Sequence, residues 1–213
     1  MSSDKNNEVK DCLLLAMLPH VVFDGWSLES LAAGRCDLKG DVLETGLLFP
    51  EGMKDVAVHF GDYIDRAMLV ELAKIDLDKL SIRERISTSV LLRLRLLSPH
   101  KEAIRRLLSF LALPGNHPVG MKITMKTINL IWYIAGDKST DFNYYTKRGL
   151  LASIYGLTIL YWLSDTSQDF GETEVFLAQR LNSVMYIPKF RSKIIKHLER
   201  LSGPFNFFKR SVF

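Results

Sequence analysis

The stretch that decides the fold is STDFNYYTKRGLLASIYGLTILYW, residues 139–162. Its first ten residues are polar and aromatic, whereas residues 149–164 carry no charge. Gly149, Ser153 and Gly156 fall close to one helix face, because residues three and four apart stack on successive turns. Small side chains on that face let a second backbone, or a lipid tail, come close.

Large apolar side chains occupy the other directions of this segment, which predicts a helix buried nearly all round. The uncharged run is shorter than the roughly 18 residues expected of a membrane-spanning helix. We therefore predict a central core helix that begins near residue 142, and no membrane span.

Composition indicates a globular protein. The chain has 213 residues, of which 47% are hydrophobic and 24% are charged, enough for one large helical domain or a small domain fused to a larger one. The first ten residues, MSSDKNNEVK, lack both the apolar run of a secretory signal and the Arg-rich character of a transit peptide. This predicts that the protein stays in the compartment where it is made.

Cysteine and charge patterns exclude some classes of site. Cys12 and Cys36 stand in no CxxC pair and have no His at ligand spacing, so we expect reduced, packed thiols, with no metal and no cofactor. Residues 1–60 carry ten acidic and five basic side chains, whereas residues 187–213 carry seven basic and one acidic. A basic partner surface is therefore expected at the C-terminal end.

Periodicity and stop signals predict a mostly helical chain. Ser27 begins the second helix, although the S-x-x-S spacing lacks the Glu of a full capping box, and Ser81 forms such a box with Glu84. The predicted helices cover residues 9–23, 27–33, 42–48, 50–73, 82–97, 100–113 and 119–135, then one helix from 142 and another over 170–185.

The order of the first elements resembles the N-terminal module of the tetracycline-repressor family, whose third helix enters the major groove of DNA. Phosphate contacts need Lys and Arg, but residues 27–49 offer Arg35 and Lys39 against four acidic side chains. The candidate recognition helix, DVLETGLLF, has two carboxylates and no basic or amide side chain to read base edges. We expect no nucleic-acid partner.

Isolated polar residues in the helices are predicted to be structural. His59 stands alone in its helix, without a second ligand or base at paired spacing. The arginines of residues 82–113 are expected on solvated faces, paired with Glu84 and Glu102, with an anion site as the alternative; they are Arg83, Arg85, Arg93, Arg95, Arg105 and Arg106. The chain lacks a phosphate loop, G-x-S-x-G, H-E-x-x-H and Glu-x-x-His, so we predict no catalytic residues and no enzyme activity.

Residues 131–181 resemble the signature region of the coenzyme Q biosynthesis protein family numbered nine, accessory proteins of ubiquinone synthesis in mitochondria and alphaproteobacteria. The residues that carry the resemblance are Trp132, Ala135-Gly136-Asp137, residues 139–148, Ile154-Tyr155, residues 165–170, Glu172, Phe176, Leu177 and Arg180. The resemblance implies a repressor-like all-α fold and a homodimer that is not an enzyme.

The family's larger domain holds an isoprenoid lipid or quinone intermediate in an apolar cavity, and a surface patch docks the diiron hydroxylase of ubiquinone synthesis. By resemblance, the patch contains Tyr144, Tyr145 and Arg148, with Tyr144 where relatives commonly have Trp. Aromatic residues and Arg are enriched in binding hot spots. The alternative is that these aromatics anchor the helix start against Trp132 and Tyr133. Candidate lipid-binding residues are Trp132, Leu151, Ile154, Tyr155, Leu157 and Leu160.

The C-terminal residues form a basic amphipathic pattern after Ile187-Pro188. Such a helix with aromatics suits an anionic bilayer interface, and the family resemblance includes a terminal membrane-binding helix. The alternative is packing against the chain's own domain or a dimer mate. Candidate membrane-binding residues are Phe190, Ile194, Ile195 and Leu198 on the apolar side, with Lys189, Arg191, Lys193 and Lys196 elsewhere.

These patterns predict an all-α, tetracycline-repressor-like fold of about ten helices. Residues 1–50 form a degenerate helix-turn-helix-like module, residues 51–186 a lipid-binding and dimerisation domain, and residues 187–213 the basic tail. The predicted function is a lipid-binding accessory protein that presents a ubiquinone precursor to a hydroxylase. A ligand-responsive transcriptional regulator and a small-molecule enzyme with a site in the same cavity are the alternatives. The predicted location is cytoplasmic, at the inner membrane of an alphaproteobacterium-like cell.

Overall fold

The computed structural model describes the backbone of residues 2–38, 45–137 and 142–183, and the side chains of 6–38, 47–137 and 144–183. Eight α-helices are α1 (Ser2–Asp24), α2 (Leu28–Asp37), α3 (Thr45–Leu48), α4 (Met53–Leu72), α5 (Ile82–Leu97), α6 (Lys101–Leu111), α7 (His117–Ile134) and α8 (Phe142–Ser164). Residues 171–183 are also helical and are called α9. Short 3-10 turns cover Leu77–Lys79, Ser98–His100 and Gln168–Phe170. The described ranges contain helices and connections but no strand, which confirms the all-α prediction, with nine helices where about ten were expected.

Helix starts follow local side-chain chemistry. At α5, Ser81 N donates to Glu84 Oε2 (2.8 Å) and Glu84 N donates to Ser81 Oγ (3.4 Å), the predicted capping box. At α2, Ser30 takes the place of the missing Glu, since Ser27 N donates to Ser30 Oγ (3.4 Å) and Ser30 N donates to Ser27 Oγ (3.2 Å). The incomplete cap expected there is therefore complete.

The N-terminal helices join the rest of the protein through tight packing. A Cβ added to Gly34 of α2 would lie 2.6 Å from the Met17 Cα of α1, so the two backbones approach as closely as glycine permits. Trp26 Nε1 donates to the Ala103 carbonyl of α6 (2.9 Å), and the Trp26 ring lies 5.5 Å from that of Phe60 in α4. These contacts fix residues 2–38 against α4 and α6.

His59 has the structural role predicted for it. Its Nε2 donates to Asp11 Oδ1 (2.7 Å), and Arg66 Nη2 donates to the same oxygen (2.6 Å), so α4 is bound to α1. Burial lowers the pKa of His59, against the opposing effect of Asp11. The imidazole is therefore held in its neutral form as part of the core.

Helix α8 corrects the expectation of burial nearly all round. Leu151, Ile154, Tyr155 and Trp162 are buried, but Leu157 is 49% exposed and Leu160 59% exposed. Cβ atoms added at Gly149 and Gly156 would meet no atom within 4 Å. The reason is that α8 packs on α5 and α7 along one side, which leaves the small-residue stripe and two leucines on the other side open.

Two further features complete the fold. Cys12 and Cys36 are free as predicted, but both are exposed, so the expectation of packed thiols is wrong: each lies on an outward face of its helix. Among the helices of the described ranges, none combines the length and apolar character needed to cross a membrane.

Candidate functional site

A first cavity, called the Trp132 cavity, opens where α5, α7, α8 and α9 meet. It encloses about 430 Å³, counting the space at its mouth. Three predicted lipid-binding residues, Trp132, Leu151 and Ile154, lie together in its wall. The lining residues are Ile82, Arg83, Ile86, Trp132, Lys147, Leu150, Leu151, Ile154 and Leu181. An apolar wall with two cationic side chains suits a mostly apolar ligand.

Two features of this wall stand out chemically. Trp132 Nε1 is buried and has no hydrogen-bond partner among the described residues, an uncommon state for a buried donor. Lys147 Nζ lies 5.6 Å from the centre of the Trp132 ring and 2.9 Å from Asp137 Oδ1. Lys147 therefore brings a cation, already paired with a carboxylate, to the aromatic side of the cavity.

A second cavity, called the Tyr155 cavity, lies among α4, α5, α6, α7 and α8 and encloses about 510 Å³, again counting its mouth. Tyr155 is the predicted lipid-binding residue that lines it. Leu157 and Leu160 line neither cavity and lie on the exposed face of α8. The six predicted residues are thus divided among two cavities and one surface. The lining residues are Phe60, Gly61, Arg93, Leu97, Ile104, Leu107, Leu108, Leu111, Gly120, Ile123, Thr124, Tyr155 and Ile159.

A buried polar cluster adjoins the Tyr155 cavity. Arg93 Nε donates to Asp65 Oδ1 (2.9 Å), Arg93 Nη2 donates to Thr127 Oγ1 (3.2 Å), and the Thr127 hydroxyl donates to Asp65 Oδ2 (3.0 Å). Burial raises the pKa of Asp65, and Arg93 and Thr127 oppose that rise. Arg93 Cζ lies 5.8 Å from the centre of the Tyr155 ring. The cluster joins α4, α5, α7 and α8.

Arg93 is the residue that sequence reasoning missed. It was expected on a solvated face, yet it is 3% exposed. Arg105 and Arg106 do pair with Glu102, at 3.3 and 3.4 Å. The helical spacing indicates that Arg93 is buried. It falls three residues after Val90 and four before Leu97, and both of these residues are buried. An arginine on an apolar stripe indicates a buried partner, and here the partner is Asp65.

The predicted docking residues lie together at the start of α8. The Tyr144 and Tyr145 rings meet edge to face at 5.2 Å, and Tyr145 is 73% exposed. Arg148 Cζ lies 3.3 Å from the centre of the Tyr144 ring, as their spacing of four residues predicts. The ring contacts of Tyr144 are thus with Tyr145 and Arg148, and not with Trp132 or Tyr133 as in the alternative interpretation.

Arg148 is the buried residue that contacts this aromatic pair. It is 7% exposed. Its Nε donates to Asn129 Oδ1 (2.7 Å), and its Nη1 donates to Asp137 Oδ2 (3.2 Å) and the Tyr144 carbonyl (3.4 Å). The structure therefore places Tyr145 as the accessible member of the three, with Arg148 fixing Tyr144 against the end of α7.

Other predicted features fall outside these sites. The candidate membrane-binding residues, from Lys189 to Leu198, lie outside the described residues. Within the described ranges, no group of three or more His, Cys, Asp or Glu side chains is arranged to hold a metal ion.

The class of protein follows from the fold. A crystal structure of a TetR transcriptional regulator from Nitrosomonas europaea superimposes with a TM-score of 0.65, covering 83% of this chain and 98% of that one. Its sequence is 19% identical, so the likeness concerns the fold alone. The protein therefore has an all-helical, tetracycline-repressor-like fold, as predicted.

The family follows from sequence comparison. The COQ9 family model matches residues 117–188, which contain α7, α8 and α9. The human ubiquinone biosynthesis protein COQ9, mitochondrial, is 32% identical over 193 residues, covering 85% of this chain and 59% of the human protein. A probable mitochondrial coq9 protein of Dictyostelium discoideum is 28% identical, covering 88% and 63%. The predicted resemblance to the COQ9 family is therefore confirmed, and the chain spans about 60% of the length of these relatives.

These relatives overturn one prediction. Both are named as mitochondrial proteins, so the expected location at a bacterial inner membrane is wrong. That expectation relied on the first ten residues, which are no guide to location in a chain that spans 59% of the human protein.

Proposed function

We propose that this protein is a non-catalytic accessory protein of ubiquinone biosynthesis, which holds an isoprenoid lipid or quinone intermediate and presents it to a diiron hydroxylase. One observation carries the proposal: an apolar cavity and an aromatic pair with one exposed member, Tyr145, lie on successive turns of α8. Tyr144 and Tyr145 precede Lys147, Leu151 and Ile154 of the cavity wall by one to three turns. Because Lys147 of the wall lies two residues after Tyr145, we propose that a ligand leaves this cavity beside the aromatic pair.

The Trp132 cavity has the properties of a lipid site. The wall is built mostly from aliphatic side chains and one indole, with Arg83 and Lys147 as its two cationic members, and burying apolar surface is worth about 25 cal/mol per Å². An isoprenoid chain, being flexible and wholly apolar, matches such a wall.

Tyr144 and Tyr145 support the docking part of the proposal. Tyr is enriched in binding hot spots because a rigid ring supplies apolar area and a polar tip. Arg148 holds the Tyr144 ring in place before any partner arrives, which lowers the entropy lost on binding. In this proposal the iron ions and the hydroxylation reaction are those of the partner enzyme, and the present protein supplies only the docking surface and the ligand.

The exposed face of α8 supports a homodimer. Leu157 and Leu160 are exposed next to Gly149, Ser153 and Gly156, where a second backbone fits. Val175 of α9 is exposed as well, and Phe176 stacks on Tyr161 of α8 at 4.5 Å. The proposed dimer therefore pairs α8 and α9 with the same helices of a second copy.

The sequence of the tail supports membrane contact. Residues 187–213 carry seven basic side chains and several aromatics, and each Lys or Arg near an anionic surface contributes about 1 kcal/mol. The names of the relatives make a mitochondrial membrane the proposed one. Deleting residues 187–213 is expected to abolish flotation with anionic liposomes, and undiminished flotation would exclude this part of the proposal.

Lipid extraction from the purified protein tests the central claim. Mass spectrometry is expected to recover isoprenoid or quinone intermediates from the unaltered protein. Ile154→Trp fills the Trp132 cavity and should reduce the recovered lipid at least about fivefold, whereas Leu157→Trp, on the exposed face of the same helix, is the matched control and should not. Absence of any isoprenoid compound from the unaltered protein would refute lipid holding.

Docking is tested by pull-down of the diiron hydroxylase. Tyr145→Ala should weaken binding by about 2 kcal/mol, the usual scale of a hot-spot aromatic. Phe23→Ala, an exposed aromatic on α1, is the matched control. Equal retention of the hydroxylase by both variants would contradict the assigned patch.

A further inference from the structure

We propose that residues 187–213 of this chain, called the tail, bind an exposed acidic and apolar face of the same chain's N-terminal helices whenever the tail is not on a membrane. The face is called the Leu28 face, and its residues are Leu28, Glu29, Leu47, Glu51 and Asp55. This inference rests on the proposed membrane contact and adds an intramolecular state that competes with it.

The Leu28 face lies where the starts of α2 and α4 meet. A Cβ added to Gly52 would lie 4.0 Å from Leu28 Cδ2, and Glu51 N donates to Asp55 Oδ2 (2.8 Å) at the same end of α4. Leu28 is 63% exposed and Leu47, in the short helix just before this point, is 71% exposed. Large apolar side chains left in water beside polar ones indicate a surface that takes a partner.

The acidic side chains around this face lack cationic partners. Residues 24–37 and 47–55 carry five acidic side chains and two basic ones. One of the five, Asp37, pairs with His20 at 2.6 Å. Within the described ranges, the other four form no ion pair with Lys or Arg; they are Asp24, Glu29, Glu51 and Asp55. A partner that fits this face therefore carries positive charge as well as apolar side chains.

The tail has both properties. Residues 187–213 contain seven basic side chains, one acidic side chain and five phenylalanines. Opposite charges on the two segments favour their encounter, and the phenylalanines supply the apolar surface that Leu28 and Leu47 can cover.

The length of the chain after α9 allows the tail to reach the face. Asn182 of α9 accepts a hydrogen bond from Arg83 at the start of α5, and α5 begins shortly after the end of α4. The Leu28 face lies at the opposite end of α4, whose 20 residues span about 30 Å. From residue 183 to residue 205 the chain covers about 33 Å as a helix and about 70 Å when extended. Either conformation bridges the distance.

Tethering makes even a weak contact effective. A segment joined to its site by a short linker has an effective concentration on the millimolar scale, far above that of other copies in a micromolar solution. An anionic bilayer offers the same two features as the Leu28 face, negative charge and an apolar layer. The same basic side chains cannot bind both at once, so the face lowers the apparent affinity of the tail for a membrane.

Photocrosslinking in the full chain tests this contact. Replacing Leu28 with p-benzoylphenylalanine puts an apolar photoreactive ring on the face, and mass spectrometry identifies the residues that it captures. We expect crosslinks to residues 187–213 in lipid-free solution, and their loss when vesicles of equal parts phosphatidylcholine and phosphatidylglycerol are added. The same replacement at Leu113, an exposed leucine at the end of α6, is the matched control and should capture no tail residue.

Charge variants assign the contact to the face. Glu29→Gln/Glu51→Gln removes two unpaired carboxylates and should reduce the crosslinked fraction at least about threefold. In the chain without the photoreactive residue, the same double variant should bind the vesicles at least about twofold more tightly, because the competing state is weakened. The control is Asp76→Asn/Asp78→Asn, which removes two carboxylates beside the start of α5 and should change neither quantity.

Several results would overturn the inference. They are the absence of tail crosslinks from position 28, equal capture of the tail from position 113, and crosslinks that persist at saturating vesicle concentration. Crosslinks that join isotope-labelled to unlabelled copies in a mixture would assign the contact to a second copy and overturn the intramolecular state. None of these results concerns flotation, so the proposed membrane contact stands or fails separately in the deletion experiment.

Discussion

Two arginine–aspartate pairs lie inside this protein, and their surroundings differ although their burial is similar. Arg93 pairs with Asp65 at 2.9 Å in the middle of the helices, and one of its terminal nitrogens has no hydrogen bond among the described residues. Arg148 pairs with Asp137 at 3.2 Å at the end of α7, and its donors are divided among Asn129, Asp137 and the Tyr144 carbonyl. The second pair positions the neighbouring Tyr144 ring, whereas the first joins α4, α5 and α7 beside a cavity.

The difference shows that burial alone does not identify a binding residue. Both guanidinium groups also lie near an aromatic ring, Arg93 at 5.8 Å from Tyr155 and Arg148 at 3.3 Å from Tyr144. Each guanidinium leaves one terminal nitrogen without a hydrogen bond among the described residues, so the distinguishing features are the long-range pairing of Arg93 and the cavity beside it. Each prediction below probes one part of this contrast.

Removing Arg93 alone should have the largest effect. Arg93→Met leaves the buried Asp65 carboxylate without its cation, which typically costs about 3–5 kcal/mol. Urea unfolding monitored by circular dichroism measures the loss. The double variant Asp65→Leu/Arg93→Met should recover most of it, because the pair is removed together. A loss below about 1 kcal/mol in the single variant would show that Asp65 does not depend on Arg93.

Arg148→Met should cost less, about 2–3 kcal/mol. Asp137 keeps Lys147 at 2.9 Å after the change, so what is lost is the charge-assisted hydrogen bonds of the guanidinium and its contact with Tyr144. Hydroxylase binding should fall together with stability, because Tyr144 loses its support. Full docking by a destabilised Arg148→Met protein would contradict the positioning role.

Contacts between residues close in sequence could be predicted from the sequence, whereas contacts between distant residues could not. Ser81 with Glu84, and Tyr144 with Arg148, lie three or four residues apart, and a helix brings such residues together whatever surrounds it. Asp65 and Arg93 lie 28 residues apart in the chain, and their pairing depends on how α4 meets α5. No local rule contains that information, although the apolar stripe around Arg93 pointed to its burial.

The division of the predicted lipid-binding residues has the same cause. Every direction of residues 149–164 is apolar or small, so the hydrophobic pattern could not say which side faces α5 and α7. The structure turns Ile154 and Tyr155 inward and leaves Leu157 and Leu160 outside. The small residues at helical spacing indicated that another segment could approach α8 closely, but not which segment. In the proposed dimer that segment is α8 of the second copy.

Asp165 is a buried aspartate that is stabilised by hydrogen bonds from Ser167 and Thr173 instead of by an arginine. Asp165 is buried, which by itself raises its pKa, but bonds from Ser167 and Thr173 outweigh burial and lower the pKa to about 2. The Ser167 and Thr173 backbone amides donate at 2.7 and 2.9 Å. A lowered pKa gives stability that is present above the unfolded value, near 3.8, and lost as the pH falls through about 2.

Asp165→Asn should therefore cost about 2 kcal/mol at pH 7. The difference from the unaltered protein should shrink as the pH is lowered from about 4 towards 2, which urea unfolding at a series of pH values measures. A difference that stays constant over this range would show that the carboxylate charge contributes nothing to the interaction.

The smallest effect on stability is expected at Tyr155. Its hydroxyl makes no hydrogen bond within the described residues, so Tyr155→Phe removes a buried polar group without removing a contact. The free energy of unfolding should stay the same or rise by up to about 1 kcal/mol, because the desolvation penalty of the hydroxyl is relieved. A loss of more than about 1 kcal/mol, measured by urea unfolding, would mean that the hydroxyl has a structural partner. Tyr155 would then join α8 to its neighbours through a hydrogen bond and would not only line the cavity.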